Sequence, residues 1–172
     1  MRGYATISPQ FWTGDTGRKI RAFAPEVRLV ALYLLSAPNA NMIGLYYLPL
    51  PTMAHEVGIS IEGASMALRS LADVDFARYD DHSEIVWVIR MAAYQVGGQL
   101  KPGDKQCAGV QKQLDEYRKC RFFSDFHGMY KTAFHLRDEV DTENQTRALQ
   151  GASMALRSQE QNQQQNSLRK AA

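Results

Sequence analysis

Cysteine is nearly absent from this chain: Cys107 and Cys120 are its only two. They are too few and too far apart for a disulfide scaffold. Together with His127 and His135 they also lack the C-x₂₋₄-C and H-x₃₋₅-H spacings of a zinc site, so no metal or other cofactor is expected. Long apolar runs are missing as well. The most apolar stretch, Val27 to Leu35, carries Arg28 and falls far short of the roughly 20 residues that span a bilayer. The first residues, MRGYATISPQFW, contain no continuous apolar segment of the kind a signal peptide needs, so a cytoplasmic chain with no membrane partner is expected. Neither sign of charge dominates: 20 Lys and Arg against 18 Asp and Glu leave a net +2. A strong non-specific nucleic-acid binder carries more, so any DNA binding here depends on where the cations stand. A phosphate loop is missing too. Thr13 to Lys19 (TGDTGRK) has its two glycines at the wrong spacing, and Ile20 follows the lysine where Ser or Thr is required. It reads as a turn leading into a basic segment, Arg18, Lys19 and Arg21.

What the chain does have is a length of 172 residues, enough for one domain with a proper core. Pro51 to Asp80 organises it. Met53, Ala54 and Val57 share one apolar face, and Gly58 then interrupts the pattern, as glycine does where a helix ends in a positive-φ residue. Ile59 plugs the turn. Ser60 is an N-cap for a second helix, with Glu62 and Gly63 in its opening turn. Ala64, Leu68 and Leu71 recur at i, i+4 and i+7, the spacing of a buried helical stripe. Two helices joined by a short Gly-containing turn make a helix-turn-helix, whose second helix suits a DNA major groove.

The flanks extend this pattern. Pro25 to Ser36 is expected as a helix with Val27, Val30, Ala31 and Leu34 on its core stripe, stopped at Pro38. Ile43 to Leu48 is a short strand closed by Pro49 and Pro51. Phe76 to Tyr79 and Glu84 to Ile89 form a hairpin turning at Asp80 to Ser83. Met91 to Gly103 is a connector. Asp104 caps a helix running to about Arg118, with Val110, Leu114 and Tyr117 on one face. Phe122, Phe126, Met129, Tyr130 and Ala133 follow at helical spacing and are expected to be core, not a platform for stacked bases.

In their order, Met53-Ala54, Val57-Gly58-Ile59-Ser60, Ala64-Ser65, Leu68, Leu71 and Phe76 resemble the bacterial winged-helix regulators. The run NMIGLYYLPLPTMAHEVGIS, with the later VWVI, YQVGGQLKPGDKQCAGVQKQL and FHL, is similar to winged-helix proteins of phage and prophage replication modules. The resemblance covers Gly17 to Leu136. It implies an α+β winged helix-turn-helix, with a three-helix core, a small antiparallel sheet, a C-terminal helical extension and a polar tail. The divisions expected are residues 1–17 as a flexible arm, 18–98 as the winged helix-turn-helix, 99–136 as the extension packed on it, and 137–172 as the tail. The tail is rich in Gln and Asn over Gln159 to Asn166 and ends near Arg169 and Lys170. It also holds Gly151 to Ser158, GASMALRS, a letter-for-letter copy of Gly63 to Ser70. Without a preceding helix and turn, the copy cannot form a second helix-turn-helix.

No catalytic residue is expected. Asp73, Asp75, Asp80 and Asp81 gather near the hairpin, and a solvated hairpin explains them better than a metal does. His55 sits where exposure or a backbone contact accounts for it. The expected function is double-stranded DNA binding in a phage or prophage, inside the bacterial host cell. Replication initiation or helicase loading is the role the resemblance implies, with a helicase or its loader as partner and a homodimer allowed. Two alternatives stand beside it: a protein-interaction adaptor built on the same fold, and a transcriptional regulator. The candidate DNA-binding residues are Ser60, Glu62, Ser65, Met66 and Arg69 on the second helix and Arg78 beside the wing. Arg18, Lys19, Arg21, Lys101 and Lys105 are candidates for phosphates. Winged-helix regulators often carry Arg or Lys where Met66 stands and Gly where Asp75 stands. The acidic wing, with Asp80, Asp81 and Glu84, also opposes a polyanion.

Overall fold

Pro25 opens the longest early helix at a position where its fixed φ and missing N–H do no harm. In the computed structural model, which describes residues 4–138, that helix belongs to an α+β fold. Eight helices and one three-stranded antiparallel sheet make up the described residues. Two short helices come first, α1 (Gln10–Thr13) and α2 (Asp15–Ile20), followed by α3 (Pro25–Ser36) and β1 (Leu45–Tyr47). Next come α4 (Leu50–Val57), α5 (Ile61–Asp73), β2 (Ala77–Asp80) and β3 (Ile85–Val88). The C-terminal part contributes α6 (Met91–Gln95), α7 (Lys105–Asp115) and α8 (Phe123–Phe134). The copied segment Gly151 to Ser158, the Gln- and Asn-rich run and the final basic pair lie outside the described residues.

The turn between α4 and α5 follows the expected chemistry. Gly58 has φ +77°, and its N–H reaches back to the carbonyls of Ala54 and His55, closing α4 in a left-handed cap. Ser60 is extended, and its hydroxyl accepts the Gly63 N–H at 3.0 Å, satisfying a donor that the start of α5 leaves open. At the far end of α5, Asp75 adopts φ +52°, a left-handed conformation that Asp tolerates better than most side chains.

The sheet runs in the order β1-β3-β2, so β3 is central. Leu45 pairs with Trp87 on one side of it and Ala77 with Val88 on the other. Chain entry into β1 depends on Gly44, at φ +73°. A Cβ there would stand 2.6 Å from Met91 Cβ and 2.8 Å from the Val88 carbonyl oxygen, so only glycine lets β1 lie this close to β3. That residue starts the strand two positions later than the β-rich run Ile43 to Leu48 implies.

Alternation along β3 places its side chains in two separate cores. Val86 and Val88 join Tyr46, Leu48 and Ala77 over Val30 and Leu34 of α3, Met53 of α4, and Leu68 and Leu71 of α5. Trp87 and Ile89 join Ile43 and Leu45 over Val110 and Leu114 of α7 and the aromatic side of α8. Each fully buried large side chain contributes roughly 1.5–3 kcal/mol relative to exposure. A tyrosine ties helix to sheet in each core: Tyr46 donates to the Leu34 carbonyl at 2.6 Å, and Tyr130 to the Ile89 carbonyl at 2.9 Å.

Three expectations change here. The first seventeen residues, read as a flexible arm, include α1 and the start of α2. Phe11 and Ile20 are the physical reason: the Phe11 ring meets Phe76 edge-on at 6.3 Å, and Ile20 is buried in the first core. Gly17 lets α2 fold back over Phe11, whose carbonyl any Cβ would overlap. The stretch read as a connector from Met91 opens with α6, because Met91 and Ala92 follow β3 directly and are buried beside the sheet. On α8, Met129 is half exposed and Phe134 is buried in its stead. Phe126, Tyr130 and Phe134 recur every four residues along one face, with rings 4.8 Å apart, and Met129 falls outside that row.

Candidate nucleic-acid interface

The outward side of α5 is open. Ala64, Ala67, Leu68 and Leu71 turn inward, while Met66 is 67% exposed, Ile61 is 48% exposed, and Glu62 and Arg69 are exposed beside them. Ser65 is half-buried on the same helix. Four of the candidate residues, Glu62, Ser65, Met66 and Arg69, therefore stand on α5, and Ser60 caps it. Ser60 is the exception in role, since its hydroxyl is already occupied by the Gly63 N–H.

This surface carries little positive charge. Among the charged residues of α5, Glu62 and Asp73 outnumber Arg69. Its apolar character continues into a groove between the N-terminal ends of α3 and α5, lined by Phe23, Val27, Ile59 and Met66. Sequence reading placed Met66 on this face but missed Ile61 and Phe23. Ile61 stands three residues before Ala64, yet at the first turn that spacing does not carry it under the core.

The hairpin is held by its own acids. Glu84 accepts from the Tyr47 hydroxyl at 2.7 Å, and that bond pushes the Tyr47 ionisation upward. Asp80 accepts from the Ser83 hydroxyl and lies 3.6 Å from Arg121, and the Ser83 bond lowers the Asp80 carboxyl below its ordinary value. Tyr79 is half-buried, donates to the Leu48 carbonyl at 3.0 Å, and is pushed up to about 12, mainly by burial and then by the charge of Glu84. The Glu84 and Asp80 carboxylates thus serve as internal staples of the hairpin, while Asp81 is exposed at its tip.

The candidate cations do not gather in one place. Arg78 points to the α8 side of β2, where it pairs with Asp125 at 3.0 Å and Asp75 at 3.7 Å and lies over the Trp87 ring. Two carboxylates thus already neutralise it. Arg18 pairs with Asp15, which holds that carboxyl below its usual range. Lys19 and Arg21 are exposed on either side of the buried Ile20, and Arg21 lies two residues before the groove-lining Phe23. Lys101 and Lys105 flank Asp104, whose carboxylate caps α7 by accepting the Gln106 N–H at 2.8 Å. They belong to the side of the sheet facing away from α5.

No cluster of three or more His, Cys, Asp or Glu that could hold a metal occurs among the described residues. No helix among them is long and apolar enough to cross a membrane. Among known proteins, no family model matches the chain, and neither a curated protein nor a solved structure is similar enough to be matched.

Proposed function

We propose that the chain is a winged helix-turn-helix protein that binds double-stranded DNA through α5. The observation that carries this reading is the uncovered outer side of α5, with Met66 and Arg69 projecting from a helix that follows a Gly58-closed turn. The order α3, β1, α4, α5, β2, β3 supports it, since a strand between the first two core helices pairs with the hairpin after the third. Arg69 is the groove reader in this scheme, able to donate two hydrogen bonds to guanine. Lys19 and Arg21 supply phosphate contacts. The resemblance in sequence extends the reading to a phage or prophage protein acting in replication initiation or helicase loading.

Duplex binding measured across a salt series tests this. A DNA binder weakens linearly in log–log form, with a slope of about −0.9 per phosphate contacted. Arg69 and the exposed Lys19 and Arg21 are the cations this reading assigns to the duplex, so a shallow slope is expected. Arg69→Ala should cost about 1–3 kcal/mol of sequence discrimination. Binding that is absent, or present but independent of salt, overturns the reading.

A second reading has its own observation. The apolar groove lined by Phe23, Val27, Ile59 and Met66, together with exposed Ile61, suits a protein-interaction adaptor better than a phosphate backbone. Met66→Lys separates the two: it strengthens DNA binding under the first reading and abolishes partner capture under the second.

A further inference from the structure

We infer that the cavity between the N-terminal helices and α6 is a binding site for a small aromatic or branched aliphatic monocarboxylate. The cavity has a volume of about 100 Å³, and none of Ile61, Glu62, Met66 and Arg69 on the outer side of α5 lines it. Its walls are apolar: Phe11 and Ile20 from the first two helices, Phe76 after α5, and Met91 from α6. A dry apolar cavity of this order takes up a ring the size of benzene. The body of the ligand is set by this shape, since Phe11 and Phe76 already meet edge-on and offer ring faces to a third ring.

Charge sets the other end. Arg90 borders the cavity, is exposed, and makes no ion pair among the described residues. Asp75 is the one carboxylate lining the cavity, and Arg78 holds it at 3.7 Å. The neighbouring α2 adds the exposed Lys19, and Arg21 follows it. A guanidinium free of a carboxylate, at the mouth of an apolar chamber, matches a ligand whose ring goes in first and whose carboxylate stays at the rim. The Tyr94 hydroxyl and the Gln10 amide at the same border can complete the polar end.

Benzoate and its uncharged isostere benzamide probe this in the full chain, followed by amide chemical shifts and calorimetry. Benzoate should shift the Gly17, Ile20 and Met91 amides saturably and bind about tenfold more tightly than benzamide, the margin of one charge-assisted hydrogen bond. Arg90→Gln should bring benzoate down to the benzamide level, and Leu35→Phe, which fills the cavity, should weaken both ligands. Equal affinity for the two probes, saturable shifts elsewhere, or no saturable shift overturns the inference, as does Arg90→Gln without effect on benzoate. If Leu35→Phe does not fold, Arg90→Gln decides alone, since Arg90 is on the surface.

Discussion

The two sides of β3 are packed with different chemistry. Toward α3, α4 and α5 the strand sends Val86 and Val88, and the side chains that meet them are mostly Ala, Val and Leu. Toward α7 and α8 it sends Trp87, which meets Phe122 at 6.0 Å and Phe126 at 6.3 Å, with Tyr130 and Phe134 stacked behind. Small residues let helices approach closely and fix the angle at which α5 leaves the turn. Large rings each bury a wide apolar area and fill the space behind the sheet with few side chains. The difference teaches where precision is concentrated: the helix with the exposed outer side, α5, is set on the small-residue side, and the aromatic side supports the sheet from behind.

Substitutions in the two cores put this to the strongest test. Phe126→Ala should cost about 3–5 kcal/mol and Leu34→Ala about 2–5 kcal/mol, read from denaturant midpoints. A single transition with unchanged slope is expected for both variants, because β3 contributes to each core. A two-step melt confined to Phe126→Ala would make the aromatic side a separate folding unit and break the comparison.

Glycine sites sharpen it. Gly44→Ala sits where both cores approach and must move Met91 and the Val88 carbonyl, so a loss of at least about 2–3 kcal/mol is expected. Gly58→Ala meets nothing within 4 Å and should cost only the left-handed strain, about 1 kcal/mol. Thermal unfolding of the two variants under identical conditions compares them, and equal losses would remove the steric argument.

The caps form a matched pair, one on each side of the sheet. Ser60→Ala and Asp104→Ala each delete one side-chain acceptor at a helix start, and each should cost about 1 kcal/mol in chemical denaturation. The smallest effect concerns pH. Because the fold raises Tyr79 from 10.0 to about 12, its contribution is complete below pH 10 and is lost as pH rises through about 12. Tyr79→Phe should flatten the stability curve across that alkaline window. An unchanged curve would mean that Tyr79 does not ionise differently in the two states.

Local structure was legible wherever a short-range rule governs it. The Gly58 turn, the Ser60 and Asp104 caps, the stripe Ala64, Leu68, Leu71 and the hairpin from Ala77 to Val88 all follow from neighbours within a few positions. Phe134 escaped because it lies one turn beyond the apparent end of an aromatic run. The helices within the first seventeen residues escaped because Phe11 finds Phe76 only after sixty-odd intervening residues have folded. The candidate site was half legible: the outward residues of α5 stand together as the periodicity implies. The cations do not.

The amino-acid order by itself determined where helices start and stop and which of their faces are apolar, since capping, φ limits and helical period act within one turn. Only the tertiary structure decided which charges remain free. Arg78 looks available in the sequence and is paired with Asp125, 47 positions away, while Arg90, beside a cavity, looks ordinary and makes no ion pair among the described residues. Pairing of charges depends on distances of a few ångströms between elements remote in the chain, and no local rule contains those distances.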